Sequence, residues 1–423
     1  MSDQSFDAVA TGRTAKVRLA PTEGSPDLLA DPEPRPRRLT IVSVDDHVVE
    51  PPHMFDGRLP RRFADTAPRV VEDTGGAQAW LFEDELLHSI GLSAVVGRPR
   101  RNYNVDPSRF EQMRPGCYDP AARRRDLDIN GIAASLNFPN MLPGFAGQRF
   151  ARVRDPHLGL ALVRAWNSWV LEEWVEPHRP RFIPCQIPWL GGTVQDAAEE
   201  IEANAARGFV AVSFVEAPHK VGLPSLHTGH WDPFLAACQD TGTVVCLHVG
   251  SSSSIFTSAP DAPPESVPIL FSANAMFAAV DWLFAGIPVR FPDLRIVLSE
   301  GGIGWVPGLL DRLDQTARNR PYFEARWSDD GLLSASDVLR RNFWFCALDE
   351  PRGFAMLDHI GAENVLVESD YPHADSTWPD TQPTIGRQVE HLGPEQRAAV
   401  SHRNALALFR WNLPTDEGAT SWI

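Results

Sequence analysis

The stretch LTIVSVDDH, residues 39–47, sets the reading of this chain. Its β-branched and apolar positions describe a buried strand, and the strand ends in two acids and an imidazole rather than in a turn. Asp45 and His47 lie two residues apart, so in an extended chain they share one face. Glu50 follows, and Pro51 and Pro52 then end the strand, since neither carries an N–H for a ladder.

Seven further runs of the same character follow: AASLNFPN (133–140), FIPCQIPW (182–189), FVAVSFVEAP (209–218), VVCLHVGSSS (244–253), RIVLSEGG (295–302), FWFCALDE (343–350) and VLVESDYPH (365–373). Segments of helical pattern lie between most of them, among them residues 162–178, 193–208 and 232–242. Strand then helix, repeated, implies parallel strands joined by right-handed crossovers. An open doubly wound sheet satisfies the same alternation, but eight strands with polar residues at their ends favour a closed (β/α)8 TIM barrel, an α/β fold. Residues 57–125 are too long for one barrel loop and carry their own apolar segment, AQAWLFEDELLH (77–88), which reads as a cap inserted after the first strand. Residues 1–38 lack apolar periodicity and read as a flexible, disordered tail, the barrel domain spans 39–411, and 412–423 form a C-terminal tail.

Composition narrows the partners. The net charge of −16 disfavours nucleic acid and anionic membrane surfaces, which require a basic field. No apolar run is long enough for a membrane span, and no basic-then-apolar leader is visible, so the expectation is a cytoplasmic protein acting on small molecules. The five cysteines are scattered without a CxxC pair, which argues against disulfides or a thiolate zinc site. Nearly all basic residues are arginine, the two lysines being Lys16 and Lys220.

In a barrel of this kind the reactive groups gather at the C-terminal strand ends. There the sequence places Asp45, His47 and Glu50 after the first strand, His248 on the fifth, Glu300 on the sixth, and Asp370 with His373 on the eighth. A buried polar group without a partner costs several kcal/mol, roughly 2 to 7. A metal ion offsets that cost, and agreement among four strand ends makes a divalent metal the expectation. The loop residues His219, His227 and His230 are weaker candidates. Phe138, Phe256, Trp305 and Trp378 suggest an apolar pocket, and Arg98, Arg100 and Arg101 are candidates for holding a carboxylate.

SVDDHVVEPP (43–52), LHVGSSS (247–253), FPDLRIVLSEGGIGWVP (291–307) and ESDYPHADSTWP (368–379), in this order, resemble the amidohydrolase superfamily, in particular its branch of decarboxylases and hydrolases. The resemblance implies one divalent metal held by a pair on the first strand, a His on the fifth and an Asp on the eighth, with a His ending the sixth. Here the first pair is Asp45 and His47, and Glu300 stands where the sixth-strand His is usual. Lys220 lies past the fourth strand, so the resemblance supplies no carbamylated lysine bridge. The carboxylate-rich DxHxxE pattern is similar to the dinuclear iron or manganese/iron monooxygenases of the superfamily, and an oxygen-rich donor set suits manganese and iron better than zinc.

Three functions follow as expectations. The first is an O2-activating dinuclear Fe or Mn/Fe monooxygenase, with Asp45, His47, Glu50, His248, Glu300, Asp370 and His373 as metal ligands and Glu300 and Asp370 as catalytic residues. The alternative is a mononuclear hydrolase or non-oxidative decarboxylase, with zinc possible and Glu300 as base. The third is a partner subunit of such an enzyme, in keeping with an expected homo- or hetero-oligomer of related chains.

Overall fold

A computed structural model describes residues 28–320, 327–328 and 332–413. Its parallel strands are β1 (Val42–Val48), β5 (Ala134–Pro139), β6 (Phe182–Ile183), β7 (Cys185–Gln186), β8 (Ala211–Phe214), β9 (Val244–His248), β10 (Ile296–Ser299), β11 (Phe343–Ala347) and β12 (Val365–Val367). They are ordered β6-β5-β1-β12-β11-β10-β9-β8-β7. The two ends of this series, β6 and β7, are halves of one strand interrupted at Pro184, whose missing N–H breaks the ladder. Its carbonyl still accepts the N–H of Val210 at 3.2 Å and of Ala211 at 3.3 Å. The sheet therefore closes on itself as an eight-stave barrel, and all eight runs read from the sequence are staves.

The barrel interior is filled by Val42, Val44, Leu136, Cys246, Val297, Cys346 and Leu366 with their neighbours. A larger apolar layer separates the strands from the outer helices. The base is sealed by Leu408, Phe409 and Trp411 of the closing helical segment, and the Trp411 indole donates to the Pro180 carbonyl at 2.7 Å.

The inserted cap begins with an antiparallel sheet of β2 (Arg69–Glu72), β3 (Gln78–Phe82) and β4 (Glu85–Leu87). The expected insertion, 57–125, runs too far. Residues from Pro120 onward form the barrel's first crossover helix, Pro120–Asn130, started by the Asp119 side chain accepting from the Ala122 N–H and by Pro at the first turn.

Another boundary also moves. The expected flexible tail, 1–38, is corrected over its described part: Leu29 N–H donates to Gly97, Arg35 N–H to Ile129, and the Arg35 side chain pairs with Asp380 at 2.7 Å. Those contacts tie residues 28–38 to the barrel; residues 1–27 and 414–423 lie outside the described residues. Among the described residues no helix is long and apolar enough to cross a membrane.

Candidate metal centre

Strand alternation alone does not bring Asp45 and His47 to the barrel mouth. Val42 and Val44 point into the barrel, so unbroken alternation would carry Asp46 inward and Asp45 outward. Between the pairs Ser43↔Ser135 and Asp46↔Asn137, however, β1 advances three residues while β5 advances two. This bulge reverses the phase, placing Asp45 and His47 at the mouth and Asp46 on the other face. On β9, Cys246 points inward and His248, two residues on, follows it. Glu300 and Asp370, just past β10 and β12, both adopt left-handed backbone, with φ of 59° and 52°. Such conformations are strained for residues with a Cβ and concentrate at functional sites.

These turns bring Asp45, His47, His248, Asp370 and His373 together. Candidate ligand atoms of Asp45, His47 and His248, and of His47, Asp370 and His373, lie within 4.8 Å of one another. His47 Nδ1 donates to the Pro139 carbonyl at 3.1 Å and His248 Nδ1 to Val249 at 2.7 Å, which fixes both tautomers and turns both Nε2 atoms to the centre. The two Nε2 atoms stand 3.0 Å apart. Facing lone pairs at that distance require a proton or a cation between them.

Without metal, a proton serves. Burial disfavours charge on His248, but Asp45 outweighs it and raises the imidazole to about 10, while burial and the neighbouring imidazoles of His373 and His248 lower His47 to about 3. Burial also works against the Asp45 charge, yet His248 and His47 prevail and hold it at about 2. One proton nevertheless leaves five buried acceptors without hydrogen bonds: both oxygens of Asp45, both of Asp370, and Nε2 of His373. Asp45 approaches His47 and His248 at 3.4 Å and Asp370 approaches His373 at 3.0 Å, but without hydrogen-bond alignment. Burial raises Asp370, Glu300 and Glu368 well above the ordinary carboxylate range, and crowding by neighbouring carboxylates adds to it. A divalent cation answers the surplus of acceptors and of negative charge together, so the residues present fit a metal ion.

The remaining predicted residues divide. Glu300 reaches the centre, its carboxylate 3.7 Å from His248 Nε2 and, at 12% exposure, more open than its neighbours. Glu50 is directed elsewhere: its oxygens accept the backbone N–H groups of Asn140 at 2.9 Å and Leu142 at 3.3 Å, and it belongs to neither ligand group. It pins the loop after β5, which spacing alone did not reveal.

Of the loop histidines, His227 pairs with Asp281 at 2.8 Å, and neither His219 nor His230 joins a ligand group. Phe138 borders the centre, 5.1 Å between ring centroids from His248, whereas the Trp378 ring lies under Arg114 and Trp305 donates to Gly301. Arg98 donates from Nη1 to the Val105 carbonyl while its buried Nε has no hydrogen bond, and Arg100 lies over the Tyr103 ring.

A family profile described as amidohydrolase matches residues 106–411. This chain belongs to the amidohydrolase family. The fold is shared with an amidohydrolase from Mycobacterium avium subsp. paratuberculosis (21% identity, 88% of this chain and 99% of that one, TM-score 0.67). It is shared also with 2,6-dihydroxybenzoate decarboxylase from Rhizobium (16%, 88% and 99%, TM-score 0.57). A third structure of the same fold is 5-carboxyvanillate decarboxylase from Novosphingobium aromaticivorans, complexed with manganese (16%, 89% and 98%, TM-score 0.58).

Three features of this amidohydrolase escaped the sequence reading. Glu368 is fully buried, and its Oε2 accepts the Glu300 N–H at 3.2 Å, supporting the strained turn there. It lies two residues before Asp370, the same spacing that singled out Asp45 and His47. Glu216, past β8, is buried with Oε2 unpartnered while Asn274 donates to Oε1 at 3.3 Å. Its signal was an acid ending the run FVAVSFVEAP. Phe145 had none: its ring, brought in by the loop after β5, sits 4.9 Å from that of His47 and 4.6 Å from that of His248.

Proposed function

We propose that this metal-dependent amidohydrolase-family enzyme is a single-metal, non-oxidative decarboxylase or hydrolase of a small carboxylated substrate. The observation that carries the reading is the convergence of unpartnered acceptors on Asp45, Asp370 and His373 beside the paired imidazoles of His47 and His248. Asp45, His47, His248 and Asp370 would hold the ion, with His373 beside them. The mixed carboxylate and imidazole set favours manganese or iron over zinc. A divalent ion bound there supplies a Lewis acid for a substrate oxygen or for water.

The protein's own groups do the rest. Burial and, next, Asp370 raise the Glu300 carboxyl well above the ordinary carboxylate range, and it is the most open of the cluster, so it is placed to exchange a proton with substrate. In a decarboxylation the protonated carboxyl delivers its proton to the carbon that loses CO2; a hydrolysis would need its ionised form to accept one from water, so the raised carboxyl favours the decarboxylation. Phe145 and Phe138 screen the imidazoles from bulk water on the side of the β5 loop. The decarboxylases that share this fold, one of them solved with manganese, support the reading. The commitment of Glu50 to backbone amides supports one ion rather than the pair a dinuclear oxygenase requires.

Metal-depleted protein titrated with manganese, iron and zinc tests this. One equivalent bound, with anaerobic turnover of aromatic or aliphatic carboxylic acids, supports it. Two equivalents of iron or manganese with substrate-linked O2 consumption overturn it in favour of the monooxygenase. Substituting Glu300→Gln is expected to lower turnover about 10²- to 10⁴-fold while the bound metal stays at one equivalent. Unchanged turnover removes Glu300 from proton transfer.

A further inference from the structure

Between the cap and the barrel lies a second polar space. A cavity of about 370 Å³ lies between the cap hairpin, residues 82–87, and two barrel loops that contribute Gln148, Arg149, Arg152 and Ser253. That volume accommodates a ligand of one ring. Both loops lead to the centre: the β5 loop places Phe145 against His47 and His248, and the other loop begins at His248 itself. Gln148 Nε2 and Ser253 Oγ, 3.4 Å apart, join the two loops at the cavity wall.

The arginines here are not equivalent. Arg152 donates to the Val221 carbonyl at 3.0 Å, and Arg154 is paired with Asp84 at 3.4 Å in solvent. Arg149 has a buried Nε with no hydrogen-bond partner, and among the described residues no carboxylate forms an ion pair with it. Burial weakens its hold on its proton, the Arg152 charge adds to that, and Glu50 and Glu85 offset it only from a distance. A guanidinium half withdrawn from water and left without an acceptor is costly until an anion completes it. Its planar fork matches a carboxylate, and Glu83 and Glu85 on the facing wall oppose a more highly charged phosphate.

We propose that Arg149 anchors a carboxylate of the substrate in this cavity, so that the cavity selects small acids by size and charge. That the acid is the substrate rests on the function proposed above; the anchoring itself does not.

The probe is isophthalate, titrated calorimetrically into the full chain, once loaded with manganese and once chelated. The chelated wild type is expected to bind isophthalate, Arg149→Gln to bind it about 10- to 100-fold more weakly, Arg149→Lys to fall between, and Arg154→Gln to match wild type. Wild-type affinity in Arg149→Gln overturns the proposal. So does binding that disappears on chelation, which would make the ion the sole carboxylate site, and so does an absence of binding at millimolar probe. Should Arg149→Gln fail to fold, Ser253→Leu narrows the same cavity: a loss of at least about tenfold is expected, and unchanged affinity overturns the assignment. A protein that takes up no metal yet binds isophthalate through Arg149 would defeat the proposed function and leave the anchor standing.

Discussion

Asp45 and Asp46 are consecutive, chemically identical and both fully buried, yet they stand in opposite kinds of surroundings. One oxygen of Asp46 accepts from Ser43 at 3.0 Å, Ser369 at 2.7 Å and the Tyr371 N–H at 3.2 Å, and the other faces Arg123 at 3.9 Å. Arg123 in turn donates to the His47 carbonyl and lies over the Tyr371 ring. Asp46 thus fastens β1 to the loop after β12 and to the first crossover helix. Neither oxygen of Asp45 has any hydrogen bond, and both look onto imidazoles and other acids. The pleat separates the two residues, and the bulge at positions 43–46 decides which of them receives which role. Asp46 Oδ2 also lacks a hydrogen bond, as does the Arg123 Nη1 it faces, so the contrast lies in the three bonds to Asp46 Oδ1 and the guanidinium counter-charge, against two bare oxygens among imidazoles and acids on Asp45.

The comparison breaks most sharply at the ligand itself. Asp45→Ala is expected to weaken manganese binding by more than about 100-fold, since even changes outside the ligand shell cost 10- to 100-fold. Metal content by mass spectrometry and thermal unfolding of the chelated protein are the measurements. Retained stoichiometric metal would end the assignment of Asp45, and a collapse of stability without metal would move it into the structural class of Asp46.

Asp46→Ala reverses the pattern. It leaves Arg123 buried without its counter-charge, which costs about 3–5 kcal/mol, and the folded fraction should still bind one equivalent of metal. Urea unfolding gives the first quantity and metal analysis the second. A variant as stable as wild type would show that the three hydrogen bonds to Asp46 contribute little.

How far the sequence carried this contrast depends on what kind of information each feature needs. The barrel was legible because eight apolar runs, each with a polar residue at or near its end, alternate with helical segments; the same alternation suits an open sheet, and it was the count of eight with polar strand ends that favoured closure. Asp45, His47, His248, Glu300, Asp370 and His373 were legible as strand-end residues. The reason given for the first pair was incomplete, since shared spacing says that two residues face the same way but not which way, and the phase was set by a bulge with no sequence signature. Glu50 takes a direction that spacing did not foretell for a related reason: beyond a strand end, direction is fixed by the loop the side chain meets, here residues 140–142. Glu368 carried the same two-residue spacing from Asp370 and was passed over, although no tertiary information was needed to notice it. Phe145 and Arg149 depend on how a glycine-containing loop folds back over the mouth, with Gly144 and Gly147 at φ of 73° and 69°, and nothing local predicts that.

Glu50 gives the smallest effect and the finest test of the contrast. Burial raises its carboxyl from 4.5 to about 7, although backbone N–H groups, those of Asn140 and Leu142 among them, favour the charged form. Between those values the folded protein holds a proton that the unfolded chain has released. The stability this contributes is therefore complete below the ordinary carboxylate value and is lost as pH rises through about 7, up to about 3 kcal/mol in all. Glu50→Gln cannot titrate and keeps one acceptor for the β5 loop, so its stability should vary less with pH. Urea unfolding of chelated wild type and Glu50→Gln at about pH 5 and about pH 8 makes the comparison, chelation keeping the ligands' own titration from being confused with metal release. A steeper loss in wild type is expected. Parallel profiles would mean that the carboxylate stays charged against its amides throughout, making Glu50 a pin for the loop that carries Phe145 and Arg149 through charge rather than through a shared proton.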